Sequence, residues 1–91
     1  MPAPEVVVVL PAVLMRLFPG CERAVTVAAG NVGAMIEALD ARWPGMGDRI
    51  RDSTPRVRRH INIFVDGERA TLETPLADGV EVFVMTAISG G

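Results

Sequence analysis

Ninety-one residues with 49% hydrophobic and 22% charged side chains describe one folded globule, too short for two cores and too apolar for intrinsic disorder. The net charge of −2 excludes a protein that holds nucleic acid by bulk electrostatics. One cysteine, Cys21, excludes an internal disulfide. The apolar run from Val6 to Met15 is broken by Pro11 and far shorter than the ~20 residues that span a bilayer. It also lacks a basic flank before it, so a signal peptide is not expected and the cytosol is the expected compartment.

In chain order, Glu5 to Leu10 opens with four consecutive valines, which predict a strand buried on both faces. Pro19-Gly20 marks a turn, and Arg23 to Ala28 predicts a second strand with Val25 and Val27 inward. The two strands form an expected hairpin with a long, partly apolar loop. Asn31 is a helix N-cap, and Val32, Met35, Ile36, Leu39 and Trp43 recur on one helical face until Pro44-Gly45 stops the helix. Met46 to Asp52 adds at most a short helical turn.

From His60 the period becomes two, with Ile61, Ile63 and Val65 on one side and Asn62 and Phe64 on the other. Asp66-Gly67 is a tight-turn pair, after which Glu68 to Ala70 can pair back. Pro75-Leu76 and Asp78-Gly79 mark further turns before a last strand, Val80 to Thr86. Glu81 phases that strand: Val82 and Val84 belong to the core, whereas Phe83 and Met85 share the solvent side with Phe64. One amphipathic helix covers one face of a mixed sheet, an α+β arrangement that leaves Phe64, Phe83 and Met85 uncovered, as a partner surface would be.

The usual chemical motifs are missing. Cys21 has no sequence partner for redox work and suits packing better. His60 is the only histidine and has no second ligand at metal spacing. No Gly-x-Ser-x-Gly is present, and Gly30-Asn-Val-Gly33 lacks the spacing and lysine of a phosphate loop. The Met35, Ile36, Leu39 and Trp43 stripe is core. Arg56, Arg58 and Arg59 form a basic run that is either a solvated loop or a rim for docking an acidic surface. All nine basic residues are arginine, so no lysine amine is available for a Schiff base or for isopeptide chains built on this protein.

The last residues, Ala87-Ile88-Ser89-Gly90-Gly91, can extend ~17 Å past the final strand. Two glycines without Cβ atoms let a narrow channel enclose the backbone and a nucleophile approach the final carbonyl. With the opening strand, the Asn31 to Gly45 helix, Arg59-His-Ile-Asn-Ile-Phe-Val-Asp-Gly-Glu68, Leu76-Ala-Asp-Gly-Val-Glu-Val82 and the closing Ile88-Ser-Gly-Gly91, nearly the whole chain resembles the MoaD/ThiS sulfur carriers. The segment 52–60 is similar to that of the longer CysO-like members. Thr86 and Ala87 stand where molybdopterin-synthase small subunits commonly carry a proline, which leaves the pathway open.

The resemblance implies a ubiquitin-like β-grasp fold, with a mixed sheet of four to five strands on one main helix over residues 1–86 and a flexible tail at 87–91. It implies a non-enzymatic sulfur donor whose Gly91 is adenylated by an E1-like (MoeB/ThiF-like) enzyme and converted to a thiocarboxylate. ATP is consumed by that partner, and no cofactor or metal is bound to the carrier itself. A sulfur donor protein and a sulfur-accepting biosynthetic enzyme are the further partners, and the free carrier is expected to be monomeric. Gly90, Ser89 and Ile88 would be the gripped tail, with Phe83, Met85 and Phe64 as docking residues. A molybdopterin-synthase small subunit, a ubiquitin-like modifier and a plain binding module are the alternatives.

Overall fold

The computed structural model describes residues 3–54 and 56–86. Eight elements follow one another: β1 (Glu5–Val9), α1 (Ala12–Leu17), β2 (Ala24–Ala28), α2 (Val32–Arg42), α3 (Met46–Ile50), β3 (Ile61–Val65), β4 (Glu68–Arg69) and β5 (Glu81–Thr86). The sheet order is β2-β1-β5-β3-β4, with β1 parallel to β5 and the remaining neighbours antiparallel. The last strand therefore lies in the middle of the sheet. This is the expected mixed sheet, at the upper end of the expected strand number.

The main helix is where its periodicity places it. The Asn31 side chain accepts from the Ala34 amide at 2.7 Å, and the amides of Val32 and Gly33 donate to the carbonyls of Thr74 and Leu72. The first-turn N–H groups that a helix cannot satisfy internally are thus taken up by a cap and by the 71–75 loop. Val32, Met35, Ile36 and Leu39 are fully buried against Val6, Val8, Val82 and Val84. Each such side chain contributes about 1.5–3 kcal/mol of apolar burial. Trp43 sits half-buried at the helix end with the Arg42 guanidinium 4.8 Å from its ring centre.

The short helical turn expected from Met46 is present as α3. Two expectations need correction. The long β1–β2 connection is not simply a loop, because Ala12–Leu17 form α1, which begins after Pro11 and buries Leu14 in the core. Finally, β1 is not buried on both faces: Val6 and Val8 are buried, but Val7 and Val9 on the opposite side are only half-buried. The helices pack on the face of Val6 and Val8, so among the described residues no layer covers the other face.

The β3–β4 hairpin closes as its sequence requires. Val65 pairs with Glu68 across a two-residue turn in which Asp66 (φ 56) and Gly67 (φ 81) both take the left-handed conformation. That pair of angles suits the right-handed strand twist, and only glycine adopts it without steric cost.

Candidate functional site

The site grows from β5. Its register places Phe83 beside Val9 of β1 on one side and Phe64 of β3 on the other, with Ala24 and Arg69 at the ends of the same row. One step along, Met85 pairs with Asn62, whose side-chain oxygen accepts from Arg69 at 2.8 Å. Phe83 is 40% exposed and Met85 49% exposed, which is unusual for side chains of this size at the centre of a sheet. Phe64 is half-buried between its neighbours. The three residues expected to form a docking face are therefore brought together, on the uncovered side and next to a small cleft that Val9, Pro11 and Arg23 also line.

Thr86 is the last described residue and lies at the edge of this cleft. The expected reactive residue Gly91 and the tail residues Gly90, Ser89 and Ile88 lie outside the described residues.

Thr86 also lines a second and larger depression on the helix side of the sheet, a half-open groove of about 650 Å³. Val13, Leu17 and Ile61 contribute apolar surface, and Arg49 and Arg58 line the groove as well. Sequence reasoning missed this groove and the 46% exposed Leu17 within it. The signal available was the proline before residue 12, with Val13, Leu14 and Leu17 at helical spacing.

The remaining candidates take structural roles. Cys21 is buried, and its thiol donates to the Glu22 carbonyl at 3.4 Å. Burial pushes its pKa up, against an opposing pull from Arg42, so it is held as a thiol and is poorly suited to nucleophilic work. His60 is exposed at the groove, and among the described residues no group of three His, Cys, Asp or Glu side chains is placed to hold a metal.

The Arg56 to Arg59 run belongs to a loop organised by Asp52. That carboxylate accepts from the Thr54 hydroxyl, the Thr54 amide at 2.9 Å and the Arg56 amide at 3.1 Å. The Thr54 side chain leads the effects that hold the Asp52 carboxyl below the usual carboxylate range. Arg58 Nε donates to the Asp48 carbonyl and so reaches back to α3. Among the described residues, no helix is long and apolar enough to cross a membrane.

Comparison with known proteins gives one consistent answer. The ThiS family pattern matches residues 8–91. The sulfur carrier protein CysO of Mycobacterium tuberculosis is 34% identical over 93 aligned positions, covering 96% of this chain and 99% of that protein. A chain in the crystal structure of the Amycolatopsis orientalis BexX/CysO complex superposes with a TM-score of 0.83 at 28% identity, covering 94% of this chain and 99% of its own. The small archaeal modifier protein 1 of Haloferax volcanii gives a TM-score of 0.79 at 25% identity, covering 94% and 100%. The shared fold is the ubiquitin-like β-grasp.

Proposed function

The chain belongs to the ThiS family, and on that premise we propose that it is a sulfur carrier protein for biosynthesis, a co-substrate of partner enzymes and not a catalyst. The observation that carries this reading is the likeness to the CysO sulfur carrier over nearly the full length of both chains. The chemistry follows from a carboxylate at Gly91, the residue to which the family match extends. A carboxylate is a poor electrophile. Its attack on the α-phosphate of ATP, on a separate E1-like adenylyltransferase, gives the acyl-adenylate and releases pyrophosphate. Hydrosulfide then adds to the Gly91 carbonyl and expels AMP, leaving the thiocarboxylate. A persulfide would instead expel AMP and leave an acyl disulfide, from which a thiol releases the thiocarboxylate by forming a disulfide with the donor's remaining sulfur.

Phe83, Met85 and Phe64 are the residues we assign to docking. An uncovered apolar patch on a β-sheet is a natural protein contact, and a related chain is found in a complex with another protein. Gly90, Ser89 and Ile88 present backbone for a partner to grip in extended form. Incubation with the E1-like enzyme, ATP and a sulfur source tests the assignment by intact mass. The carrier must become heavier by the difference between one sulfur and one oxygen, with the change confined to the C-terminal peptide. The likeness to an archaeal modifier favours a second reading, in which Gly91 is joined to an amine of another protein. A conjugate in place of the sulfur-bearing chain would establish that reading.

A further inference from the structure

Two surfaces meet where residue 86 leaves the sheet: the open face of Phe83 and Met85, and the groove on the helix side. We propose that the groove is a second docking surface, which receives an acidic segment of the adenylating enzyme with one apolar side chain on Leu17 and carboxylates on Arg49 and Arg58. The proposal rests on the reading of the chain as a carrier activated at Gly91.

Leu17 is the first ground. It is the one residue of α1 that is both large, apolar and strongly exposed, at 46%, while Leu14 in the same helix already fills the core. Core packing therefore does not account for a leucine at this position. With Val13 and Ile61 it forms an apolar seat on the groove surface.

Charge is the second ground. Arg49 is exposed, and Arg58 spends its Nε on the backbone carbonyl of Asp48, which fixes the guanidinium without neutralising it. The groove lining carries one carboxylate, Asp48, against these two guanidinium groups. Asp52, which Arg58 also influences, lies in the neighbouring loop and is engaged by Thr54 and Arg56. His60 lines the groove too. In a chain of net charge −2, this is a local positive site. It is complementary to carboxylates, which arginine can hold with two parallel hydrogen bonds.

Position and shape are the third ground. Thr86 lines both the groove and the open-face cleft, so an enzyme that grips the residues after 86 passes over both surfaces. A small-molecule site would enclose its ligand and present buried polar groups. This groove is half open and none of the polar side chains that line it is buried, which suits a polypeptide segment.

The test measures pyrophosphate release by the purified E1-like adenylyltransferase against carrier concentration, at low and moderate salt. Arg49→Glu alone, and Leu17→Asp with Arg49→Glu, alter exposed side chains, and melting curves confirm that the fold is kept. We expect the KM for carrier to rise about tenfold in the double variant with kcat little changed, an effect of the size expected for an interface anchor. Wild-type KM should also rise with salt, and that of Arg49→Glu should not. If both variants match wild type while Phe83→Asp raises KM, the enzyme docks on the open face alone. The groove proposal is then wrong and the carrier reading stands. If wild-type carrier supports no pyrophosphate release, the carrier reading falls and takes the groove with it.

Discussion

Replacing Gly47 by alanine should destabilise the protein, although the substitution is usually favourable in a helix. Alanine gains about 1 kcal/mol over glycine in a helix interior. Gly47, however, is the second residue of α3 and is buried. A Cβ there would lie 2.6 Å from Arg51 Nη1, 3.0 Å from Asp40 Oδ1 and 3.1 Å from Asp40 Cβ. The first contact is cheap to relieve, since Nη1 is the far end of a long side chain and has no hydrogen-bond partner among the described residues.

Asp40 has less freedom. Its Oδ1 accepts from the Gly45 amide at 3.1 Å and the Gly47 amide at 2.8 Å, joining the end of α2 to the first turn of α3. Displacing it strains or breaks bonds to a charged acceptor, and overpacking of this kind costs about 1–3 kcal/mol. Set against the helix gain, the net loss is about 1 kcal/mol at the middle of that range, or a melting temperature lower by about 4–8 °C. Urea and thermal unfolding of Gly47→Ala, Asp40→Ala and the double variant measure it. The alanine penalty should shrink when Asp40 is already absent. A Gly47→Ala protein as stable as wild type would show that Arg51 alone gives way and that Asp40 does not fix the α2–α3 corner.

Asn31→Ala removes the cap on α2 without touching the core, and urea unfolding should register a loss of about 1 kcal/mol. The Asp52 carboxyl is held below its ordinary pKa of 3.8, so its contribution is complete above that value and is lost as pH falls through the lower folded one. Acid melting curves should accordingly fall more steeply for wild type than for Asp52→Asn below about pH 4, and parallel curves would remove Asp52 as the loop organiser. Arg58→Lys places an amine beside the groove that Thr86 also lines, and five extended residues span ~17 Å. With the E1-like enzyme and ATP but no sulfur source, that amine should attack the adenylated Gly91 carbonyl and expel AMP. The product is an internal amide one water lighter than the free chain, and wild type, which has no lysine, should not form it by this route.

Much of the fold was legible because single residues broke local ambiguity. Asn31 and Pro44-Gly45 bracket α2, Asp66-Gly67 fixes the β3–β4 turn, and Glu81 phases β5 so that Phe83 and Met85 must point to the open side. The four valines of β1 carry no such marker. Identical side chains hide the period of two, and only the pairing of β1 with β2 and β5 decides that Val6 and Val8 face the helices. Helix α1 is six residues long, less than two turns, and has no side-chain cap, so Pro11 and the spacing of Val13, Leu14 and Leu17 are the only signals it carries. The groove was illegible for a different reason. Residues 13–17, 45–49 and 58–61 contribute to it, and their proximity exists only once the sheet has formed.

Topology explains why these surfaces converge. Strand β5 pairs with β1 through Glu81, Val82 and Phe83 and with β3 from Val82 to Thr86, so its last three residues are held by β3 alone. Pairing on both edges at Val82 and Phe83 fixes the strand's position and rotation. Side chains on a strand alternate, so Phe83 and Met85 project to the open face, whereas Val84 and Thr86 belong to the helix side, where the groove lies. The open face and the helix-side groove are thus held in fixed phase with each other by one strand. A partner that recognises either face meets β5 in one orientation, and a partner that recognises both can select for that orientation before chemistry begins.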